Sequence, residues 1–147
     1  MSKAAELAKA GETLTNQPSG RKNIVTNGAM QVAQRSTSVT GIGASAGYFT
    51  LDRWKITVDA TSAGRLTMTQ TADGPSGFAN CLKLDCTTVD TSIAAGELLL
   101  LRHSLEGQDL QQIKKGTSDA ELITLSFYVK ANAAFNFGVE LFDNDNT

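Results

Sequence analysis

Side chains that could exchange protons, attack a carbonyl or hold a metal are present in this chain, but not in working combinations. His103 is the single histidine, and Ser104 follows it directly. Neighbours on a strand point to opposite faces, so the two cannot act as base and nucleophile. One histidine also excludes a multi-histidine metal site. The carboxylates Asp52, Asp59, Asp73, Asp85, Asp90, Glu97, Glu106, Asp109, Asp119 and Glu121 are scattered, with no spacing that pairs two of them. Asp143-Asn144-Asp145-Asn146 starts like an oxygen-rich cation loop but lacks the following Gly and the distal Glu; it reads as a polar tail. Gly41-Ile-Gly43-Ala-Ser-Ala-Gly47 misses the dinucleotide spacing by one residue and leads into a strand, not a helix. It reads as a flexible loop. No catalytic, metal or cofactor-binding residue is assigned, no cofactor is expected, and the chain is read as a non-enzyme.

The remaining reactive and aromatic residues read as structural. Cys81 and Cys86 lie in an alternating segment, CLKLDC. On a strand they would stand about 17 Å apart on opposite faces, beyond the reach of a disulfide. Two reduced thiols serving as small buried hydrophobes are expected, in keeping with a reducing cytoplasm. Trp54 alternates with Ile56 and Val58, which makes it a core anchor. Tyr128 faces away from its apolar neighbours and is the candidate for a surface contact.

These residues have to be positioned by elements of a mid-sized domain. The 147 residues carry 13 basic and 15 acidic side chains, net charge -2. With pI ≈ 5.3 and no basic stripe, nucleic acid is not expected as a partner. The longest aliphatic run, Leu98 to Leu101, is too short to span a bilayer, and the N-terminus lacks the apolar region of a secretory signal. Neither a membrane nor secretion is expected.

The chain divides at about residue 22. Ser2 caps a short helix carrying Ala4, Ala5, Leu7 and Ala8, with Gly11 as its stop. Such a helix is marginal alone and needs something to dock on. Glu12 to Lys22 reads as a linker. Residues 23–147 are rich in Thr, Ser and Gly, with apolar residues alternating with polar ones. Strands are expected at Asn23–Thr26, Met30–Arg35, Thr50–Val58, Arg65–Thr71, Cys81–Thr87, Glu97–Leu105, Leu122–Ala131 and Phe135–Phe142. The clearest is Ile123-Thr-Leu-Ser-Phe-Tyr-Val-Lys-Ala131, with Ile123, Leu125, Phe127 and Val129 on one face. Ser36 to Gly47 reads as a long loop, and Asp73-Gly-Pro-Ser-Gly77 as a turn. A short internal helix from Gly107 to Lys115 is expected, with an acid early, bases late and Gly116 beyond. Many short strands with one helical insertion predict a mainly β fold, an antiparallel β-sandwich of jelly-roll type with a short N-terminal helix.

Ordered blocks from residue 21 onward resemble a module of bacteriophage tail-fibre and other virion proteins. They are Arg21-Lys-Asn-Ile-Val-Thr-Asn-Gly28, Ala29-Met-Gln-Val-Ala-Gln-Arg35, Tyr48-Phe-Thr-Leu-Asp-Arg-Trp54 and Gly74-Pro-Ser-Gly-Phe-Ala-Asn80. Leu105-Glu-Gly-Gln-Asp-Leu110, Gly116-Thr-Ser-Asp119 and Leu125-Ser-Phe-Tyr-Val-Lys130 complete them. The resemblance implies a carbohydrate-binding-module-like jelly roll on a trimeric virion appendage that meets the host surface. Within it Trp54 serves the core, Gly28 and Gly77 turns, and Asp109 a helix cap; no ligand residues carry over. Members continue past the strand matching Phe135–Phe142, which implies a sandwich incomplete at its C-terminal side or completed by neighbouring subunits.

The expectation is a phage virion structural protein, a tail fibre or fibre-like component assembled in the host cytoplasm. Residues 1–22 dock on a tail or capsid protein, with Lys3, Glu6 and Leu7 as contacts, and residues 23–147 project. The expected partners are further copies of the chain, as a homotrimer, another virion protein and a host surface glycan bound through avidity. Two alternatives stand beside it: an adaptor or capsid-surface fibre without receptor binding, and a carbohydrate-binding module of a secreted enzyme.

Overall fold

A computed structural model describes residues 2–16, 23–58, 62–134 and 136–143. The first element is helix α1, Lys3–Asn16. Ser2 caps it, its Oγ accepting the Ala5 N–H at 3.4 Å. The helix does not stop at Gly11. Glycine weakens a helix interior by about 1 kcal/mol but ends it only where the chain turns left-handed, so α1 takes in the first residues of the expected linker. Gln17 to Lys22 lie outside the described residues.

Five strands follow: β1 Ser38–Ile42, β2 Trp54–Val58, β3 Arg65–Thr71, β4 Cys81–Thr88 and β5 Leu99–His103. They form two antiparallel sheets, one ordered β1-β3-β4 and the other β2-β5. Gly47 bridges to Ile56 on the second edge of β2, so β2 is flanked on both sides. Helix α2, Gly107–Leu110, and a 3-10 turn, Gln111–Ile113, come after β5. The turn ends on Lys114 in the left-handed region. The fold is therefore mainly β, with two antiparallel sheets and two short helices, an arrangement consistent with a β-sandwich.

The core lies between β1 and β3 on one side and β2 on the other. Ile42, Leu51, Ile56, Leu66 and Met68 are buried, and Met30, Val39, Phe49, Trp54 and Leu82 pack around them. Leu66 and Met68 alternate inward on β3 with Thr67 and Thr69 opposite, as period-two patterning requires.

Four expectations are corrected. The stretch read as a loop contains β1. Its alternation was hidden by a bulge between Val39 and Ile42, which shifts the side-chain phase by one residue. Gly41 and Gly43 carry the positive φ that the bulge demands, and a Cβ on Gly43 would collide with the Gly64 carbonyl oxygen. Asn23–Thr26 and Met30–Arg35 are not strands but turn and irregular chain, because Asn27 and Met30 take positive φ. Thr50 to Arg53 form no strand either, although Thr50 and Leu51 are fully buried; strand begins at Trp54, after Arg53 at φ 73°. Finally, Leu122–Ala131 and residues 136–142 form no ladder with any described strand. Alternation marks a segment able to bury one face, but a strand also needs a neighbouring edge for its N–H and C=O groups, and this segment lies paired with none of the described strands. Phe135 lies outside the described residues.

Candidate functional site

Asn27 organises the end of the two sheets near Trp54. Its left-handed backbone, φ 56°, is one that asparagine tolerates better than most residues. Its Oδ1 accepts the N–H groups of Gln31 at 2.9 Å and Val32 at 3.0 Å. Its Nδ2 donates to the carbonyls of Val32 at 2.8 Å and Asp52 at 3.0 Å. Its own carbonyl accepts the Trp54 indole N–H at 3.1 Å. One side chain thus ties the irregular chain at 27–32 to the approach to β2, and its three bonds to Gln31 and Val32 leave no room for the strand expected there.

His103, opposite Trp54 across the β2–β5 ladder, packs edge-on against the indole with ring centroids 5.0 Å apart. Its Nε2 lies 2.9 Å from the Thr26 carbonyl oxygen. A carbonyl only accepts, so in this contact Nε2 carries the proton. Nδ1 is buried without a partner.

Around this knot runs a charged and aromatic rim. Arg35 pairs with Asp52 at 3.1 Å and lies over the Tyr48 ring, 5.7 Å from its centre. Arg53 pairs with Glu106 at 2.6 Å, and Gln108 donates to the second Glu106 oxygen at 3.0 Å. The Arg53 hydrogen bond and charge hold the Glu106 carboxyl below the ordinary carboxylate range, and Glu106 raises Arg53 in return. Tyr48 is exposed. An exposed ring flanked by two guanidinium–carboxylate pairs offers binding chemistry: a face for stacking and several directed hydrogen bonds. Its residues include no nucleophile–base pair. Among the described residues no group of His, Cys, Asp or Glu could hold a metal ion.

The residues singled out from sequence do not converge on this rim. Lys3, Glu6 and Leu7 lie on α1 at spacings that share one helical face, and the side chains of Ser2 to Lys9 are all exposed. Tyr128 is exposed and stacks edge-on with Phe78, centroids 5.9 Å apart. Cys81 and Cys86 are free, the first half-buried and the second exposed. The reading of both as buried hydrophobes is therefore corrected: β4 is an outer strand, and even Cys86, opposite the buried Leu66, stays exposed at its open edge.

Asn27, Arg35, Tyr48 and Glu106 were missed as a group. They lie in four separate stretches of the chain with no shared spacing to link them, and only the fold draws them to one place. Comparison with protein-family models, curated proteins and solved structures finds no match to this chain.

Proposed function

We propose that this chain is a structural protein of a bacteriophage virion, a tail fibre or fibre-like component. In this reading α1 anchors the chain to a tail or capsid protein, and a jelly-roll domain projects for assembly, as a homotrimer, and for attachment to a host surface glycan. The observation that carries the reading is α1 itself. It is a short helix whose described side chains all face solvent, and helices of about 12–15 residues are marginal in water without a surface to pack on. Leu7, with Ala4 and Ala8, offers a small apolar stripe for that surface, and Lys3 and Glu6 flank it.

Deleting residues 1–22 tests the reading. The shortened chain should keep the thermal transition of the β-domain and fail to enter particles during assembly. Normal incorporation of the shortened chain would remove the anchoring role and the reading with it.

A further inference from the structure

The two sheets are not closed alike along their two edges. On one side β1 runs through Ala44–Ala46 into Gly47, which pairs with β2 through mutual hydrogen bonds of 2.9 Å with Ile56. The chain therefore crosses from one sheet to the other there, and that edge is sealed. β4 and β5 then form the opposite edge, each with one described neighbour.

Residues directly opposite in an antiparallel ladder share a face. Leu84 is opposite Met68, and Leu101 and Leu99 are opposite Ile56 and Val58. All three leucines thus point to the core side. Met68 and Ile56 are fully buried, yet Leu84, Leu101 and Leu99 are 39%, 41% and 55% exposed. The space between the sheets is open at this edge, and the outer N–H and C=O row of β5 has no described strand beside it.

The same chain carries the complement. From Ala120 to Ala131 it runs without helix, turn or bend. Tyr128 and Lys130 hold this stretch to the β3–β4 turn, through Phe78 and through Asp73 at 2.9 Å. Ile123, Leu125, Phe127 and Val129 alternate with them and are 46–59% exposed. A strand with one apolar face and an unused backbone edge is a template for pairing with another chain.

We propose that Leu122–Ala131 of one copy adds as a strand to the free edge of β5 in a second copy of this chain, its apolar face covering Leu99 and Leu101. The occupant is a second copy because the chain's own segment is already tethered at the β3–β4 turn, while each copy carries both the donor and the acceptor. The areas agree. Large apolar side chains bury on the order of 150–250 Å² each when aromatic, so the half-exposed side chains on donor and acceptor together supply a few hundred Å² per copy. Adding the backbone strand brings this to the scale of about 800 Å² per partner of a standard interface. Such a contact is head-to-tail and builds a closed ring or an open array. The inference rests on the self-assembly part of the virion reading and names the contact that makes it; the anchoring part is tested separately by deleting residues 1–22.

Light scattering of the full chain, with cysteine pairing, tests it. In a background with Cys81→Ser and Cys86→Ser, one chain carries Leu100→Cys and a second, size-tagged chain carries Ser126→Cys. Mixed and oxidised, they should form a disulfide between the two chains, and the unsubstituted chain should scatter at two or more times the monomer mass. Leu125→Pro, which removes a strand N–H, should return the mass to monomer, with the β-domain keeping the cooperative thermal transition that the native chain shows when diluted to monomer. A monomeric full chain overturns the proposal. So does a double variant, Leu100→Cys with Ser126→Cys, that closes only within one chain, because the segment would then serve its own β5.

Discussion

At the β1–Gly47 edge the chain seals its own two sheets, whereas at β4 and β5 it leaves inward leucines half open and a well-patterned segment unpaired. Both regions have the alternation of a β-protein. They differ in what local chemistry fixes the chain in place. On the sealed side Asn27 makes two bonds with each half of its amide and receives Trp54, so the irregular approach to β2 is fully specified. On the open side Tyr128 and Lys130 hold the segment at the β3–β4 turn through two exposed contacts, which give its backbone no strand partner. Patterning decides which face of a strand is buried; discrete polar anchors and an available edge decide where it goes.

The largest effect that would sharpen this contrast is in the core. Met68→Ala and Ile56→Ala should each cost about 2–5 kcal/mol in chemical denaturation. Leu84→Ala and Leu99→Ala, on the open edge of the monomer, should cost less than half as much. Equal losses at a concentration where the chain is monomeric would mean that the edge is closed within one chain and would break the comparison.

Next in size is the Asn27 anchor. Asn27→Ala leaves the part-buried Asp52 carbonyl without its partner and removes three exposed bonds, and should destabilise the β-domain by about 1–3 kcal/mol. Asn27→Gly accommodates the positive φ but restores none of the four bonds. It should therefore recover only a part of the loss, and a full recovery would assign the effect to backbone strain alone.

Asp90 gives a smaller, pH-dependent effect. Its carboxylate accepts the N–H groups of Ser92 and Ala63 at 2.9 and 2.8 Å, and these bonds hold its pKa below the ordinary value. A carboxylate depressed on folding contributes stability above its unfolded pKa and loses it as pH falls through the folded value. Stability measured against pH should show that acid loss in the native chain and a shallower acid limb in Asp90→Asn. An unchanged limb would remove Asp90 from the acid response.

The smallest effect is expected on the unpaired segment. Phe127→Ser should change the denaturation free energy of the isolated monomer by no more than about 0.5 kcal/mol, the range of an ordinary surface site. A loss on the core scale would show that the segment is packed within its own domain.

The sequence was a good guide wherever side-chain period alone determines structure. Arg65–Thr71 is a strand with the expected bounds, Cys81–Thr87 is one residue short of β4, and the helix after β5 begins at Gly107. The unbridged cysteines follow from the same period. It was a poor guide where the backbone leaves that period. The bulge at Gly41 disguised β1 as a loop, and positive φ at Asn27, Met30 and Arg53 broke three apparent strand stretches that alternate well on paper. The rim of Arg35, Tyr48, Arg53 and Glu106 was illegible for a different reason. Its members are up to 71 positions apart by number, and only the β2–β5 ladder and the Asn27 anchor bring them together. Tyr128 was identified from its face on the strand pattern, and it is exposed, but its contact with Phe78 had no sequence signal.

The pairing of Trp54 with Asn27 and His103 has an optical consequence. Trp54 is the sole tryptophan, and the chain has two tyrosines, of which Tyr48 belongs to the same rim and Tyr128 to the unpaired segment. Tryptophan emission therefore reports on the end of the β2–β5 ladder where Asn27 and His103 meet, while a fluorinated or isotopically labelled Tyr128 reports on the unpaired segment. The molecule carries separate spectroscopic channels for its folding and for whatever settles on its open side, and the two can be followed in one sample without attaching a dye.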